Sequence, residues 1–169
     1  MLPIALMASS MIPILTPGAP MPALKGEFLT GKPAELPSAA SGRVALLALG
    51  FTYDSRFAVE EWVGRFRREF ADQPLVTFYE VPMIGGMARL GKWFIDRGMR
   101  KGTARGDYGH VITVYGGTDP WKRRLGFQAP DAAYLILLDQ CGTVRWLYRG
   151  QFDAEAYATL SREVAALLQ

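Results

Sequence analysis

The sequence predicts an α/β protein with a mixed central sheet and helices on both faces of that sheet. The first observation is the continuous apolar run from Val44 to Phe51, which is typical of a strand buried on both faces. The second is the order of the patterns, in which strand and helix alternate three times before a hairpin and a last helix. The βαβ beginning and the hairpin ending together indicate that parallel and antiparallel strands share one sheet.

The first half of the chain supplies a hairpin, two strands and a helix. Residues 24–37 contain a Gly31-Lys32 turn and predict a short hairpin or extended loop, and residues 75–81 predict a strand that follows the helix. Asp54 or Ser55 is expected to cap the helix at its start. Apolar side chains then recur every three or four residues and define one buried face: Val59, Trp62, Val63, Phe66 and Phe70.

The second half of the chain continues the same alternation. Residues 87–101 predict a basic amphipathic helix, and His110 is expected to open a strand that runs to residue 115. Thr118 begins a short helix with Pro120 suited to its first position. Two strands over residues 133–139 and 143–149 are joined by a glycine-containing turn, and Asp153 caps the last helix.

The first 24 residues are apolar and rich in proline, and they are expected to form an extended arm ahead of a domain that covers residues 25–169. Five prolines disfavour a stable helix in the arm. A cleaved secretory signal is the alternative, because small residues at 21–23 follow an apolar stretch, although the usual positive start is missing. The longest dense apolar run has eight residues, whereas a membrane-spanning helix needs ~20.

The composition of the 169 residues excludes several kinds of chemistry. One cysteine and one histidine leave no intramolecular disulfide, no CxxC redox pair, no cysteine-based zinc site and no multi-histidine metal site. Nineteen Lys and Arg residues against 16 Asp and Glu give a net charge of only +3, which argues against nucleic-acid binding. No cofactor or metal is expected.

Several landmarks resemble the thioredoxin-like superfamily, in its branch of peroxiredoxins and periplasmic thiol-disulfide oxidoreductases. They are Gly18-Ala19-Pro20, Gly31-Lys32, the buried strand ending at Phe51, and Leu138-Asp139 followed by Gly142. The resemblance covers most of residues 17–168 and implies a reactive loop after Phe51. The family's CxxC position is occupied here by Asp54-Ser55-Arg56-Phe57, and its cis-proline position falls at Ala133. Since thiol exchange needs a thiolate and a resolving thiol there, the resemblance implies a redox-inactive member.

A narrower match, over roughly residues 25–168, resembles the mitochondrial ATP synthase assembly factor ten family. It is carried by Glu61-Trp62, Gly91-Lys-Trp-Phe94, Arg97-Gly-Met-Arg-Lys101, His110, Arg124-Leu-Gly126, Tyr134-Leu-Ile-Leu-Leu-Asp139 and Val144-Arg-Trp146. This resemblance implies a chaperone for the hydrophobic membrane subunit a of the ATP synthase. It implies a periplasmic or membrane-peripheral location in a bacterium, and the inner-membrane side of the mitochondrion in a eukaryote.

A cluster of positive charge on the predicted basic helix indicates a binding surface. Six cations fall within 17 residues with only Asp96 opposing them, which suits a protein partner, an anionic membrane surface or a dimer contact. The predicted partner-binding residues combine this cluster with the loop after Phe51 and the last strand: Asp54, Arg89, Lys92, Trp93, Arg97, Arg100, Lys101, Arg105, Arg145 and Trp146.

The alternative function is a thiol-dependent peroxidase or oxidoreductase that uses Cys141. This cysteine lies in the predicted turn between two strands, where exposure would permit reaction. His110 is a second candidate for chemistry, because an imidazole carries protons near neutral pH, although packing at a strand edge also accounts for it. The two hypotheses differ in whether the Cys141 thiol is needed for activity.

Overall fold

A computed structural model describes residues 11–86 and 91–169, which form one seven-stranded sheet with helices packed on it. The strands are β1 (Leu24–Phe28), β2 (Pro33–Leu36), β3 (Val44–Gly50), β4 (Val76–Ile84), β5 (Ile112–Tyr115), β6 (Ala133–Leu138) and β7 (Val144–Gly150). The helices are α1 (Ser55–Glu69), α2 (Lys92–Gly102), α3 (Thr118–Arg124) and α4 (Ala154–Leu167). Across the sheet the order is β2-β1-β5-β4-β3-β6-β7.

The sheet is mixed, as the sequence predicts. Strand β3 pairs in parallel with β4, which pairs in parallel with β5, whereas β6 is antiparallel to β3. The hairpins β1-β2 and β6-β7 add antiparallel strands at the two edges. The βαβ part of the chain thus forms the middle of the sheet, and the hairpins complete it.

Strand β3 is central, and its apolar run is explained by burial on both faces. Val44, Leu46 and Ala48 pack in a cluster with α1 and α4. The alternate residues of the strand belong to a second cluster, on the opposite face, with α3 and the N-terminal arm. The prediction of helices on both faces of the sheet is therefore confirmed.

The apolar stripe of α1 packs into an aromatic cluster, as its helical spacing predicts. Trp62 is fully buried, and its ring lies 5.1 Å from the rings of Tyr148 and Phe152 between centroids. The centroids of Trp146 and Tyr157 lie 6.3 and 6.1 Å away. One indole therefore joins α1 to β7 and α4.

The N-terminal arm packs on the sheet in an extended form. Leu15 and Met21 are buried in the cluster that faces α3. The backbone N–H of Gly18 donates to the carbonyl of Val144 at 2.7 Å, and the N–H of Val144 donates to the carbonyl of Ala19 at 2.9 Å. A signal cleaved at residues 21–23 would take both apolar side chains out of the core.

Three element boundaries differ from the sequence prediction. Strand β4 continues to Ile84, because the alternation of buried and half-buried side chains does not stop at residue 81. His110 does not open β5 but ends a short 3-10 helix. Pro120 is the third residue of α3, since the helix already begins at Thr118. Helix α2 begins at Lys92, with Gly91 as its N-cap, and residues 87–90 of the predicted helix lie outside the described residues.

The last helix is capped as expected. The Asp153 carboxylate accepts a hydrogen bond from the N–H of Ala156 at 2.8 Å, which satisfies a donor of the first turn of α4. Leu160 and Val164 then anchor the helix on the sheet. Within the described residues, every helix falls short of the length and apolar content that crossing a bilayer requires.

Candidate functional site

The loop between β3 and α1 contains the residues that the resemblance to the thioredoxin-like superfamily places at a reactive loop. The N–H of Ser55 donates to Thr52 Oγ1 at 3.1 Å, and the N–H of Thr52 donates to Ser55 Oγ at 3.3 Å. This reciprocal arrangement is that of a capping box. Ser55 therefore takes part in capping as predicted, but the Asp54 side chain makes no capping hydrogen bond. Its helical backbone, with φ −78° and ψ −22°, is the reason, since a capping side chain needs an extended residue.

A second contact joins this loop to the segment before β6. The Thr52 hydroxyl donates to Asp131 Oδ1 at 2.8 Å. The position expected for the family's cis-proline is held by Ala133, the first residue of β6. A network of hydroxyl and carboxylate groups thus joins the loop to the segment before β6.

The outer surface of the loop exposes two aromatic side chains. Tyr53 is 76% exposed and Phe57 is 59% exposed. The guanidinium of Arg56 stacks against both, 3.7 Å from the centroid of the Tyr53 ring and 4.5 Å from that of Phe57. With Asp54 beside them, these side chains form what we term the aromatic loop surface, residues 53–57. Exposed aromatic and arginine side chains are enriched at protein interfaces.

A half-buried carboxyl group lies beneath the same loop. Glu80 on β4 lines a small cavity of about 80 Å³ together with Ser55, Arg56 and Glu60. Burial raises the pKa of the Glu80 carboxyl from 4.5 to about 7, and the neighbouring charge of Glu60 adds to this increase. Because the folded protein disfavours the charged form, Glu80 binds a proton at a pH where the unfolded chain has lost it.

We expect the stability of the protein to fall by about 2 kcal/mol between pH 5 and pH 8 on account of Glu80. The unfolded carboxyl loses its proton near pH 4.5 and the folded one near pH 7, so that rising pH favours the unfolded chain within this window. The Glu80→Gln variant should lose this slope, which urea unfolding at both pH values measures. The exposed Glu61→Gln variant is the control, and an unchanged slope in Glu80→Gln would contradict the assignment.

The basic helix α2 is tied to the sheet through Lys92. Its ammonium group pairs with Asp96 one turn later and with Glu27 of β1 at 3.1 Å. Asp96 is buried and also accepts a hydrogen bond from the Tyr115 hydroxyl at 2.6 Å. Burial and the bond to Asp96 raise the pKa of that phenol. Lys92, which is predicted as a partner-binding residue, thus forms ion pairs with two carboxylates of its own chain.

The other described cations of α2 and of the 3-10 helix that follows it comprise one half-buried residue, Arg100, and an exposed group. Arg100 Nε donates to the carbonyl of Leu29 at 2.9 Å, which joins α2 to the β1-β2 turn. Arg97, Lys101 and Arg105 are exposed, and we term these three residues the basic surface. Two further predicted partner-binding groups, Arg89 and the side chain of Trp93, lie outside the described part of the chain.

The structure does not bring Arg145 and Trp146 together with the basic surface. Both lie on β7, at one edge of the sheet, whereas α2 contacts β1 and β5. Four strand spacings, or about 19 Å, separate β5 from β7. Trp146 packs on Trp62 and stacks on Tyr148, so its place is explained by the aromatic cluster. Arg145 and Trp146 therefore lie apart from the basic surface and not next to it.

His110 packs at the start of β5, as the packing interpretation of this residue expects. Its ring stacks on Phe78 with centroids 4.4 Å apart, and Nδ1 donates to the Phe78 carbonyl at 2.9 Å. The ring lines a cavity of about 460 Å³ whose other polar side chains include Arg43 and Arg67. Arg67 is paired with Asp107 at 2.7 Å. The cavity lies near the amino end of β4, away from the aromatic loop surface.

Cys141 is exposed in the turn between β6 and β7, where the sequence places it. Its N–H donates to Asp139 at 3.0 Å. Because Leu138 pairs with Ala45, this turn lies at the amino end of β3, whereas the aromatic loop surface follows its carboxyl end. The thiol and that surface are thus separated by the length of a seven-residue strand, about 20 Å.

Two features of the loop region were not predicted from the sequence. The Thr52 to Asp131 contact joins residues 79 positions apart, for which a single sequence carries no signal. Glu80 could have been noticed as an acidic residue inside an otherwise apolar strand pattern. Among residues 11–86 and 91–169, no group of three or more His, Cys, Asp or Glu side chains is arranged to hold a metal ion.

The comparisons with known proteins show the fold. No protein-family model and no curated protein matches the sequence. Solved structures that are similar include the thioredoxin domain of a thiol-disulfide oxidoreductase from Bacteroides vulgatus, with 18% identity and a TM-score of 0.56 over 89% of this chain and 99% of that one. BsSco, a member of the Sco family of cytochrome c oxidase assembly proteins, has 12% identity and a TM-score of 0.60 over 91% and 96% of the two chains. The thiol peroxidase from Chromobacterium violaceum has 16% identity and a TM-score of 0.53 over 92% and 94%.

The protein thus has a thioredoxin-like fold of the kind found in thiol-disulfide oxidoreductases, Sco proteins and peroxidases, as the sequence predicts. At 12 to 18% sequence identity, these similarities show the fold and not the function. The finer resemblance to the ATP synthase assembly factor ten family stays a prediction.

Proposed function

We propose that this protein is a redox-inactive thioredoxin-like binding module that assists assembly of the hydrophobic membrane subunit a of the ATP synthase. The observation that carries the proposal is the loop after β3. Asp54 and Phe57 stand where the family resemblance expects a thiol pair, and Thr52, Ser55 and Asp131 form a hydrogen-bonded network beside them. Tyr53 and Phe57 are exposed on the outer surface. This loop therefore offers exposed aromatic side chains for binding a protein partner, and it has no thiol for disulfide exchange.

The proposed binding surface has two parts. The aromatic loop surface contacts apolar segments of the partner, and the basic surface attracts acidic side chains or anionic lipid near the membrane. A parallel within the fold comes from BsSco, which belongs to a family of assembly proteins for cytochrome c oxidase. By analogy, the same architecture here serves a different membrane enzyme.

The double variant Tyr53→Ser/Phe57→Ser should bind subunit a at least tenfold more weakly than the wild type, because truncated aromatic anchors commonly cost ~1–3 kcal/mol each. Binding is measured with subunit a from the same source, purified in detergent, and labelled full-length protein. The control is Leu75→Ser, which removes another exposed apolar side chain that is 52% exposed. If the wild type does not bind subunit a, the partner is wrong; if both variants bind equally well, the surface is wrong.

The alternative, a thiol-dependent peroxidase or oxidoreductase, is favoured by the exposure of Cys141 and by the thiol enzymes that share the fold. It requires that the wild type reduce a peroxide or a protein disulfide and that Cys141→Ser abolish the reaction. Equal, background-level rates in both proteins would remove this alternative and agree with the binding module.

A further inference from the structure

A groove at the β7 edge of the sheet combines two arginines with apolar walls. It lies between the N-terminal arm, the end of α3 and the edge strand β7, and its volume is about 330 Å³. This is within the range of ~300–1,000 Å³ that is typical of small-molecule sites. Ile14, Leu125 and Leu147 contribute to the apolar walls, and no Asp or Glu of the described chain lines the groove.

Arg124 is the group in this groove that lacks an acceptor. Its Nε is fully buried and has no hydrogen-bond partner among the described residues. The guanidinium lies 5.7 Å from the centroid of the Trp121 ring, which offers a face to the cation but no hydrogen-bond acceptor in the plane of the guanidinium. Arg124 lines the groove, and the donors that a bound oxyanion can reach are the two terminal nitrogens of its guanidinium rather than the enclosed Nε.

Arg149, on β7, adds a second positive charge to the lining of the groove. One of its terminal nitrogens donates to the carbonyl of Gly126, which fixes the side chain across the loop that follows α3. A guanidinium has five N–H donors, so this bond leaves others for a ligand. Because the lining has two positive charges and no carboxylate, the groove favours an anionic ligand. The leucine side chains favour a ligand that also has an apolar part.

We propose that this groove binds an amphipathic carboxylate, a small anion that carries an alkyl chain. The carboxylate accepts hydrogen bonds from Arg124 and Arg149, and the chain packs against Leu125 and Leu147. Inorganic phosphate or a sugar phosphate would leave the apolar walls without contact, and a neutral lipid would leave Arg124 without an acceptor. The site shares no residue with the aromatic loop surface or the basic surface, so it does not depend on the proposed function.

The test uses sodium decanoate as the probe, below its micellar concentration, with the full-length protein. Isothermal titration should give saturable binding at one site, and 1-decanol, which has the same chain without the charge, should bind at least tenfold more weakly. At a hundred times its Kd, decanoate should raise Tm by about 5 °C or more. Amide chemical shifts should change around residues 124–126 and 147–149.

Two variants separate a built site from general apolar binding. Arg124→Gln should weaken decanoate binding at least tenfold, while Arg123→Gln, the same change at the exposed neighbour, should leave it unchanged. Ile14→Glu places a carboxylate at the exposed rim of the groove and should abolish binding without a loss of fold. Equal affinity for decanoate and decanol, equal affinity in the two arginine variants, or binding that never saturates would each overturn the proposal.

Discussion

The Trp62→Ala variant is expected to lose about 3–5 kcal/mol of unfolding free energy, a large fraction of the roughly 5–15 kcal/mol that stabilises a typical domain. The indole is fully buried and touches aromatic rings from β7 and α4, so its removal opens a cavity that these rings cannot easily fill. Urea unfolding followed by circular dichroism measures the loss. Phe57→Ala on the same helix is the control, because Phe57 is 59% exposed and its truncation should change stability little.

A second variant separates the volume of the indole from its polar atom. Trp62 Nε1 is buried without a hydrogen-bond partner among the described residues. Trp62→Phe removes this donor and keeps most of the ring, so its cost should be far below that of Trp62→Ala. Equal losses in the two variants would show that packing around the ring is not what makes the position sensitive.

The second large effect is expected from the N-terminal arm. Leu15 and Met21 are 6% and 5% exposed, and truncation of a buried residue of this size commonly costs about 2–5 kcal/mol. The double variant Leu15→Ala/Met21→Ala should therefore unfold at a much lower urea concentration than the wild type. Met11→Ala/Ile14→Ala is the matched control, since these neighbours are 90% and 68% exposed.

The same experiment bears on the interpretation of the arm as a cleaved signal. A chain that begins at Leu24 lacks both anchoring side chains and should be about as unstable as the double variant, or more so. Stability equal to that of the full chain would contradict this expectation and would agree with a domain that begins after the arm.

The parts of the fold that the sequence predicts are those set by local pattern. The run ending at Phe51 lacks alternation because β3 is buried on both faces, and the spacing of Trp62 and Phe66 follows the helical period. Asp153 is recognisable as a cap because capping depends on neighbours within three residues. In each case the pattern that determines the structure is contained within a short stretch of the chain.

The candidate site was predictable only in part, because its contacts connect distant segments. The position of the loop after Phe51 followed from the family resemblance, but Asp131, which closes it, is 79 residues from Thr52. Similarly, the charge pattern of α2 does not distinguish Lys92, which Glu27 engages from 65 residues away, from an exposed lysine such as Lys101. A helical sequence pattern shows which residues are cationic. It does not show which other groups their side chains contact in the fold.

The pairing of the arm with β7 also affects how molecules of this protein meet. Strand β7 is an edge of the sheet. The backbone carbonyl and N–H of Val144 that face outward are hydrogen-bonded by Gly18 and Ala19. A detached arm would leave an open strand end that another copy could extend, which is a common start of aggregation. The arm therefore covers one end of the β7 edge, and a chain without it is expected to self-associate through β7 as well as to lose stability.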